Sequence, residues 1–302
     1  MIRISTSQIV DSSINSMLDQ QARVYDTQVK LSTGRRFTSP SEDPAAAARV
    51  LGLSERISMT EQYQENIRAA RNRLELEDTV LGNIGNALQR ARELTVQGLN
   101  DSLGASDRQA IAAEIRQILS EVQEQANSKD ANDEYLFAGN RIQTKPFTDD
   151  GAGTFSYQGD QGQRLVQVGP STRVAVGDPG LDVFMKVSDA AGTANQSVFE
   201  TLYLLAEELD ANAPSGDRLT ELDNALERIN ETRAKVGARL QSLDREEDTN
   251  ASALTRLQAT RSQIEDLDIA QAATDLNRQM VVLQAAQQAY VKINSLSLFN
   301  FL

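Results

Sequence analysis

Hydrophobic residues recur with helical spacing along most of the chain. Between residues 222 and 264, apolar positions follow an unbroken alternation of four-residue and three-residue steps, the heptad pattern of a helix packed along another helix. Polar residues at such positions usually fix the register between helices, and four occur here: Arg233, Glu247, Asn250 and Arg261. A coiled coil and an ordinary helix bundle both produce this pattern, so these two alternatives stay open.

A partner for this helix is predicted in the same chain. Residues 53–99 form a second helical stretch whose apolar residues repeat one heptad apart, at Ile67, Leu74, Leu81 and Leu88. Two shorter helices are predicted to begin at Ser106 and Ser197, because each serine is followed three residues later by the glutamine or glutamate of a capping box. Together these helices predict a bundle of long antiparallel helices.

Each end of the chain carries apolar residues on two sides of a predicted helix. Near the N-terminus one stripe contains Ile14 and Val24 and a second contains Leu18 and Tyr25, and the C-terminal helix repeats this arrangement. One partner helix cannot cover both stripes, and large exposed apolar patches usually mark association surfaces. We therefore expect the terminal helices to pair as a coiled coil and to polymerise with other copies through Ile14, Met17, Leu18, Val24, Tyr25, Leu31, Leu276, Met280, Leu283, Tyr290, Ile293 and Leu296.

A turn separates the N-terminal helix from the next one. Gly34 is expected to end the first helix, and Pro40 lies within the turn. Asp43 followed by Pro44 is the pattern of a helix N-cap with proline at the first helical position. We interpret Gly34, Pro40, Asp43 and Pro44 as a hinge between the two helices.

The segment 135–194 differs in composition from the rest of the chain. Glycine, proline and aromatic residues concentrate there, and its short apolar segments alternate with polar residues as half-buried antiparallel strands do. Strands are predicted at 135–139, 153–158, 163–168, 173–176 and 182–187. The predicted fold is therefore mainly α with a small inserted β-rich domain, divided into a terminal coiled-coil domain (1–42 with 268–302), a helical rod domain (43–134 with 195–267) and an inserted β-rich outer domain (135–194).

The composition removes most catalytic and metal-binding chemistries. The 302 residues include no histidine, cysteine or tryptophan, so imidazole bases, thiol nucleophiles and disulfides are excluded. Neighbouring carboxylates, such as Asp149 with Asp150 and Glu246 with Glu247, are interpreted as solvated surface residues. The acidic residues between 149 and 160 lack the spacing of a calcium loop. We expect no enzyme activity, no cofactor and no bound metal.

Charge and hydropathy exclude two further classes of partner. The net charge of -13 argues against a nucleic-acid partner, and apolar runs long enough to insert into a membrane are absent from the sequence. The negative charge lies between residues 51 and 250, whereas the two ends are close to neutral. The first residues lack the apolar core of a cleaved secretory signal, which leaves a cytoplasmic protein and a protein exported by another route as alternatives.

Sequence motifs at both ends of the chain resemble those of one family. The stretch LSTGRRFTSPSEDPAAAA (31–48) is similar to the N-terminal signature of bacterial flagellins and their relatives, and QIEDLDIAQAATDLNRQMVVLQAAQQAY (263–290) is similar to the C-terminal signature. In the middle, NDEYLFAGNRIQTKPF (132–147), YQGDQGQ (157–163) and GDPGLDVF (177–184) resemble the members of this family at the junction between hook and filament more than the filament subunit.

This resemblance implies a flagellin-like fold and an extracellular structural role in the bacterial flagellum. It implies export of the unfolded chain through the flagellar type III apparatus without a cleaved signal. The implied partners are other copies of the chain in a ring, the preceding hook-associated junction protein, flagellin, and an export chaperone that guards the stripe from Leu276 to Leu296. The alternatives are the filament subunit flagellin itself and, as a third interpretation, a cytoplasmic coiled-coil scaffold.

Overall fold

The structure is a computed structural model that describes residues 6–192 and 195–299. Long helices make up most of it, so the prediction of a mainly α fold with a small β-rich region is confirmed. Within the described residues the helices are α1 (Thr6–Thr33), α2 (Pro44–Gly98), α3 (Ala105–Ala126), α4 (Gly180–Phe184), α5 (Val198–Asp210), α6 (Asp217–Glu265) and α7 (Ile269–Phe299).

Within residues 60–251, helices α2 and α6 run antiparallel and are joined by side-chain ion pairs. Their ion pairs show the direction, because the partner's number falls along α6 as the number rises along α2: Arg71 with Asp244, Asp78 with Arg233, and Arg92 with Asp223. Every heptad position predicted between 222 and 264 is buried or partly buried. The heptad prediction is therefore confirmed as the packed face of α6.

Helices α3 and α5 complete a four-helix bundle with these two. They are joined by ion pairs from Arg116 to Glu207 and to Asp210. The bundle core consists of fully buried aliphatic side chains contributed by all four helices, among them Leu74, Leu81, Leu88, Ile115, Leu202, Leu205, Ile229 and Leu243. The four-helix arrangement buries the apolar faces that the periodicity identified.

The starts of the two shorter helices test the capping predictions. Ser197 caps α5, since its hydroxyl accepts the N–H of Phe199 at 3.2 Å, which confirms that prediction. The prediction for Ser106 is wrong: α3 begins one residue earlier, and Gly104 is its N-cap. The carboxylate of Asp107 accepts the N–H of Gly104 at 3.3 Å, so an acidic residue within the first turn replaces the serine cap.

The described residues of the inserted segment, with Asn195 and Gln196 just after it, form three separate antiparallel hairpins. They pair β1 (Phe147–Asp149) with β2 (Phe155–Tyr157), β3 (Leu165–Gln167) with β4 (Arg173–Ala175), and β5 (Val187–Ser188) with β6 (Asn195–Gln196). In the first hairpin Phe147 lies opposite Tyr157, and in the second Leu165 lies opposite Ala175. The strands predicted within 153–158, 163–168 and 173–176 are confirmed.

Two of the predicted strands are wrong. Residues 135–139 are buried at Phe137 and Ala138, but their carbonyls accept N–H groups from two different segments, at Gly180 and Asp160, instead of from one neighbouring strand. Residues 182–187 begin inside α4, because Pro179 holds the helix-entry conformation and Asp182 lies in the first helical turn. Only the end of that range, Val187, belongs to a strand.

The chain divides into two compact units, residues 1–59 with 252–302 and residues 60–251. The inserted segment belongs to the second unit and shares its core with α5. The ring of Phe199 in α5 lies 5.0 Å from that of Phe147 and 5.9 Å from that of Phe184, centroid to centroid. The three-domain division expected from composition stays a prediction. In the structure, the inserted segment and the helices beside it belong to the same compact unit.

Candidate assembly surface and its supporting elements

The terminal helices α1 and α7 pair with each other in antiparallel orientation. The side-chain amide of Gln20 donates to the backbone carbonyl of Gln279 at 3.2 Å, and the hydroxyl of Thr27 donates to the side-chain oxygen of Gln279 at 3.0 Å. Just beyond the helix ends, the N–H of Leu267 donates to the carbonyl of Gly34 at 2.9 Å. The end of α1 therefore lies beside the start of α7.

The inner face of this pair consists of the residues that α1 and α7 turn toward each other. These side chains are partly buried, and among the described residues of the two helices only Ala272, 7% exposed, is buried. The predicted assembly residues on the inner face are Ile14, Met17, Val24, Leu31, Leu276, Leu283 and Tyr290.

The outer stripe of the pair remains exposed. On α1, Leu18 is 57% exposed and Tyr25 is 69% exposed, although both were predicted as assembly residues on apolar grounds. On α7, Met280 is 44% exposed and its neighbour Val281 is 64% exposed. The side chains of Ile293 and Leu296 lie outside the described part of α7. A single described chain thus covers one stripe of each terminal helix and leaves the other in water.

Four exposed apolar residues of α7 were missing from the predicted assembly set: Ile269, Val281, Val282 and Val291. Val281 and Val291, which is 67% exposed, lie on the outer side of α7. They fall outside the two heptad stripes traced from the sequence. Counting apolar residues over the whole circumference of the helix would have found them. The exposed apolar surface of α7 is broader than the periodicity predicted.

The turn between α1 and α2 is braced by its own side chains. Gly34 has a φ of 70°, a left-handed conformation that glycine adopts readily. Pro44 is the first residue of α2, and Asp43 caps the helix by accepting the N–H of Ala46 at 2.9 Å. Pro40 is exposed within the turn. The role of these residues as a hinge stays a prediction.

Glu42 holds the turn together. Its carboxylate pairs with the ammonium of Lys30 at 2.8 Å and accepts the backbone N–H groups of Thr38 at 3.0 Å and Ser39 at 3.1 Å. Lys30 and these donors lower the pKa of Glu42 to about 2, since each bond favours the charged carboxylate. The turn is ordered by charge-assisted bonds at neutral pH.

A buried charge cluster joins the inserted segment to α2 and α6. Asp178, between β4 and α4, accepts both guanidinium N–H groups of Arg239 at 2.8 Å. Its backbone N–H donates to the side chain of Glu77 at 3.0 Å. One aspartate therefore receives bonds from α6 and donates one to α2, which fixes this loop on both helices.

Two kinds of site are missing from the described residues. No helix among them is long and apolar enough to cross a membrane. No group of three or more acidic side chains among them is arranged to hold a metal ion.

Comparison with known proteins locates the chain in a family. Residues 4–141 match the model of the bacterial flagellin N-terminal helical region, and residues 219–302 match that of the bacterial flagellin C-terminal helical region. The chain belongs to the bacterial flagellin family. It is accordingly a structural protein of the flagellum.

Relatives of two kinds cover most of the chain. It is 26% identical to flagellar hook-associated protein 3 of Salmonella typhimurium over 99% of both chains. It is 26% identical to flagellin FlaB1 of Treponema pallidum over 88% of this chain and 87% of that one. The crystal structure of flagellar hook-associated protein 3 from Legionella pneumophila has the same fold, with a TM-score of 0.67 at 23% identity, over 70% of this chain and 98% of that one.

Proposed function

We propose that this flagellin-family chain forms the junction between hook and filament. One observation carries this proposal: the alignment with hook-associated protein 3 of Salmonella typhimurium covers 99% of both chains, so it includes the inserted segment. That segment contains the motifs at 132–147 and 177–184 that resemble the junction members of the family. The partners on this proposal are the preceding hook-associated junction protein on one side and flagellin on the other.

The exposed outer stripe supports assembly through the chain ends. Residues such as Leu18, Tyr25 and Val281 expose large apolar surface to water, and burying it against neighbouring copies would stabilise the polymer at about 25 cal/mol per Å². The terminal regions are close to neutral, so copies packed side by side there do not repel one another strongly. We assign ring formation to these stripes.

Export and location are part of the same proposal. We infer that the chain passes unfolded through the flagellar type III apparatus and ends in the extracellular axial structure. An export chaperone that covers the apolar residues of α7 would keep them from associating before export. We assign the chain no catalytic step, no cofactor, no nucleic-acid partner and no insertion into a membrane.

The position of the chain on isolated flagella tests the junction role. We expect gold-labelled antibody to mark one short band between hook and filament in electron micrographs. Labelling along the filament would instead identify the filament subunit, and absence from sheared flagella would indicate an intracellular scaffold. The purified chain should also fail to form long filaments by itself, whereas purified flagellin should form them.

A pair of variants tests the outer stripe. Tyr25→Asp places a charge in the exposed stripe, and we expect at least a tenfold loss of incorporation into flagella with unchanged helix content of the monomer. Gln21→Asp is the matched control, because Gln21 is an exposed polar residue of the same helix and receives the same charge. Equal incorporation of both variants would show that the outer stripe is not an interface.

A further inference from the structure

Glu77 of α2 is a carboxyl group buried with too few partners. The residue is 1% exposed. One of its oxygens, Oε1, accepts the backbone N–H of Asp178 at 3.0 Å, while Oε2 is buried without a hydrogen-bond partner. Ionisation would leave a charged oxygen buried without a hydrogen bond, which is unfavourable, so burial favours the neutral carboxyl.

The charged groups around Glu77 do not supply the missing hydrogen-bond partner for Oε2. Arg239 of α6 donates through Nη1 and Nη2 to the carboxylate of Asp178, and Arg73 of α2 donates to Asp130, Glu134 and the carbonyl of Tyr135. The carboxylate of Asp178 faces Glu77 from the loop between β4 and α4. Burial and this like charge raise the pKa of Glu77 to about 8, against the weaker opposite effects of the Asp178 N–H, Arg239 and Arg73.

We propose that Glu77 is a protonation-controlled latch, whose neutral carboxyl holds the loop around Asp178 against α2 and whose ionisation releases that loop. Backbone hydrogen bonds join this loop to two other parts of the inserted segment. The N–H of Val176 donates to the carbonyl of Arg164 at 3.0 Å, and that of Gly180 donates to the carbonyl of Phe137 at 2.9 Å. Because the Asp178 N–H bonds the loop to Glu77, release of this bond loosens the segment where it meets α2.

The direction of the pH effect follows from proton linkage. In the open loop Glu77 is solvated and titrates near its ordinary pKa of 4.5, whereas in the closed loop it titrates near 8. Between pH 4.5 and pH 8, Glu77 is protonated in the closed loop and ionised in the open loop. Closure is therefore strongest below pH 4.5 and weakens as the pH rises to 8. The opening equilibrium constant should increase roughly tenfold per pH unit within this window.

Hydrogen–deuterium exchange of the full chain tests the latch. Peptides covering 174–182 are followed between about pH 5.5 and 7.5, and rates are corrected for the intrinsic pH dependence of exchange. In the unaltered chain we expect the corrected opening of this segment to increase on the order of 100-fold across that range. Glu77→Gln keeps the acceptor for the Asp178 N–H without a titrating group, and should abolish the increase.

Glu75→Gln is the matched control, since Glu75 is an exposed glutamate of the same helix, and it should behave as the unaltered chain does. A direct measurement covers the case in which Glu77→Gln does not fold: in carbon-13 NMR of the unaltered chain, the carboxyl signal assigned to Glu77 should titrate well above pH 4.5. A Glu77 carboxyl that titrates near its ordinary value of 4.5 would overturn the latch. So would a corrected opening of 174–182 that is independent of pH, or an equal increase in α3.

Discussion

Two antiparallel helix pairs in this chain carry similar heptad patterns but reach different degrees of burial. Along α2 and α6 the apolar positions are largely enclosed, with Leu74, Ile229 and Leu243 all 0% exposed. Along α1 and α7 the inner faces are only partly buried, and Tyr25 is 69% exposed. Heptad spacing predicts that a helix will pair, but not whether its partners lie in the same chain.

The difference comes from what each pair packs against. Between Ile67 and Leu243, two further helices and the inserted segment pack over α2 and α6, so most of their apolar residues there are enclosed inside one chain. Among the described residues, α1 and α7 cover one side of each other, and apolar residues on the other side, such as Leu18 and Val281, stay exposed. An apolar stripe left in water is a liability for a monomer and an association surface for a polymer.

The largest change in stability should come from a substitution in the aromatic core of the 60–251 unit, which contains the enclosed part of α2 and α6. Phe147 is 0% exposed, and its ring lies 5.3 Å from that of Tyr157 and 5.4 Å from that of Phe184. We expect Phe147→Ala to lower the free energy of unfolding of this unit by about 3–5 kcal/mol in urea titrations, because it empties a packed site. Leu165→Ala, at a side chain 57% exposed, should change it by less than about 0.5 kcal/mol. Similar values for both would mean that the cluster does not stabilise the unit.

A smaller difference in stability is expected between substitutions on the inner face of the terminal pair and substitutions in its outer stripe. Leu283 is partly buried on the inner face, whereas Leu18 is 57% exposed. In the monomer we expect Leu283→Asp to destabilise the α1–α7 pair by at least about 1 kcal/mol, half the contribution of a fully buried leucine, and Leu18→Asp to leave it unchanged. Thermal melts of helix content measure this. The reverse order of stability would contradict the assignment of the two faces.

Two glycines of α2 test how closely its helix neighbours approach. A methyl group at Gly85 would lie 3.8 Å from the nearest atom of Ile229, an ordinary contact, so Gly85→Ala should stabilise the 60–251 unit by up to about 1 kcal/mol. At Gly98 it would lie 2.6 Å from Leu209, which is buried, so Gly98→Ala should destabilise. Urea titrations of both variants measure whether each substitution raises or lowers the free energy of unfolding. Stabilisation by both would show that α2 and α5 are less tightly packed than the structure indicates.

The smallest effect should be confined to the turn before α2. Because the pKa of Glu42 is lowered to about 2, its bonds are complete above its ordinary value of 4.5 and are lost as pH falls from 4.5 toward 2. We expect exchange of the Thr38 and Ser39 amides, corrected for intrinsic rates, to accelerate over that range, and Glu42→Gln to show the faster exchange already at pH 7. If neither the lower pH nor Glu42→Gln accelerates exchange of these two amides, the turn does not depend on this carboxylate.

Much of the helical architecture was predictable because it depends on local spacing. The packed face of α6, the cap at Ser197 and three of the strands follow from the order of residues within one element. The errors arose where a neighbour decided the outcome. Residues 135–139 have the composition of a strand, yet their carbonyls accept bonds from Gly180 and Asp160, which are distant in sequence.

The site residues show the same limit. Apolar spacing identified Leu18 and Leu283 equally, because a helical repeat identifies the stripes of a helix without saying which stripe another helix covers. The charge cluster around Asp178 was not predicted at all. Its members Glu77, Arg239 and Asp178 are separated by long stretches of chain, and nothing in their local sequence distinguishes them from solvated charges.

The long helices, their heptad faces, the neutral ends and the family signatures were predictable from the amino-acid sequence, since each of these depends on residues close together along the chain. The tertiary structure alone decided which apolar stripe is covered, which carboxyl group is buried and where the inserted segment attaches. Burial is a property of what surrounds a side chain. Glu75 and Glu77 lie two residues apart on one helix, yet only Glu77 lies under the loop that carries Asp178.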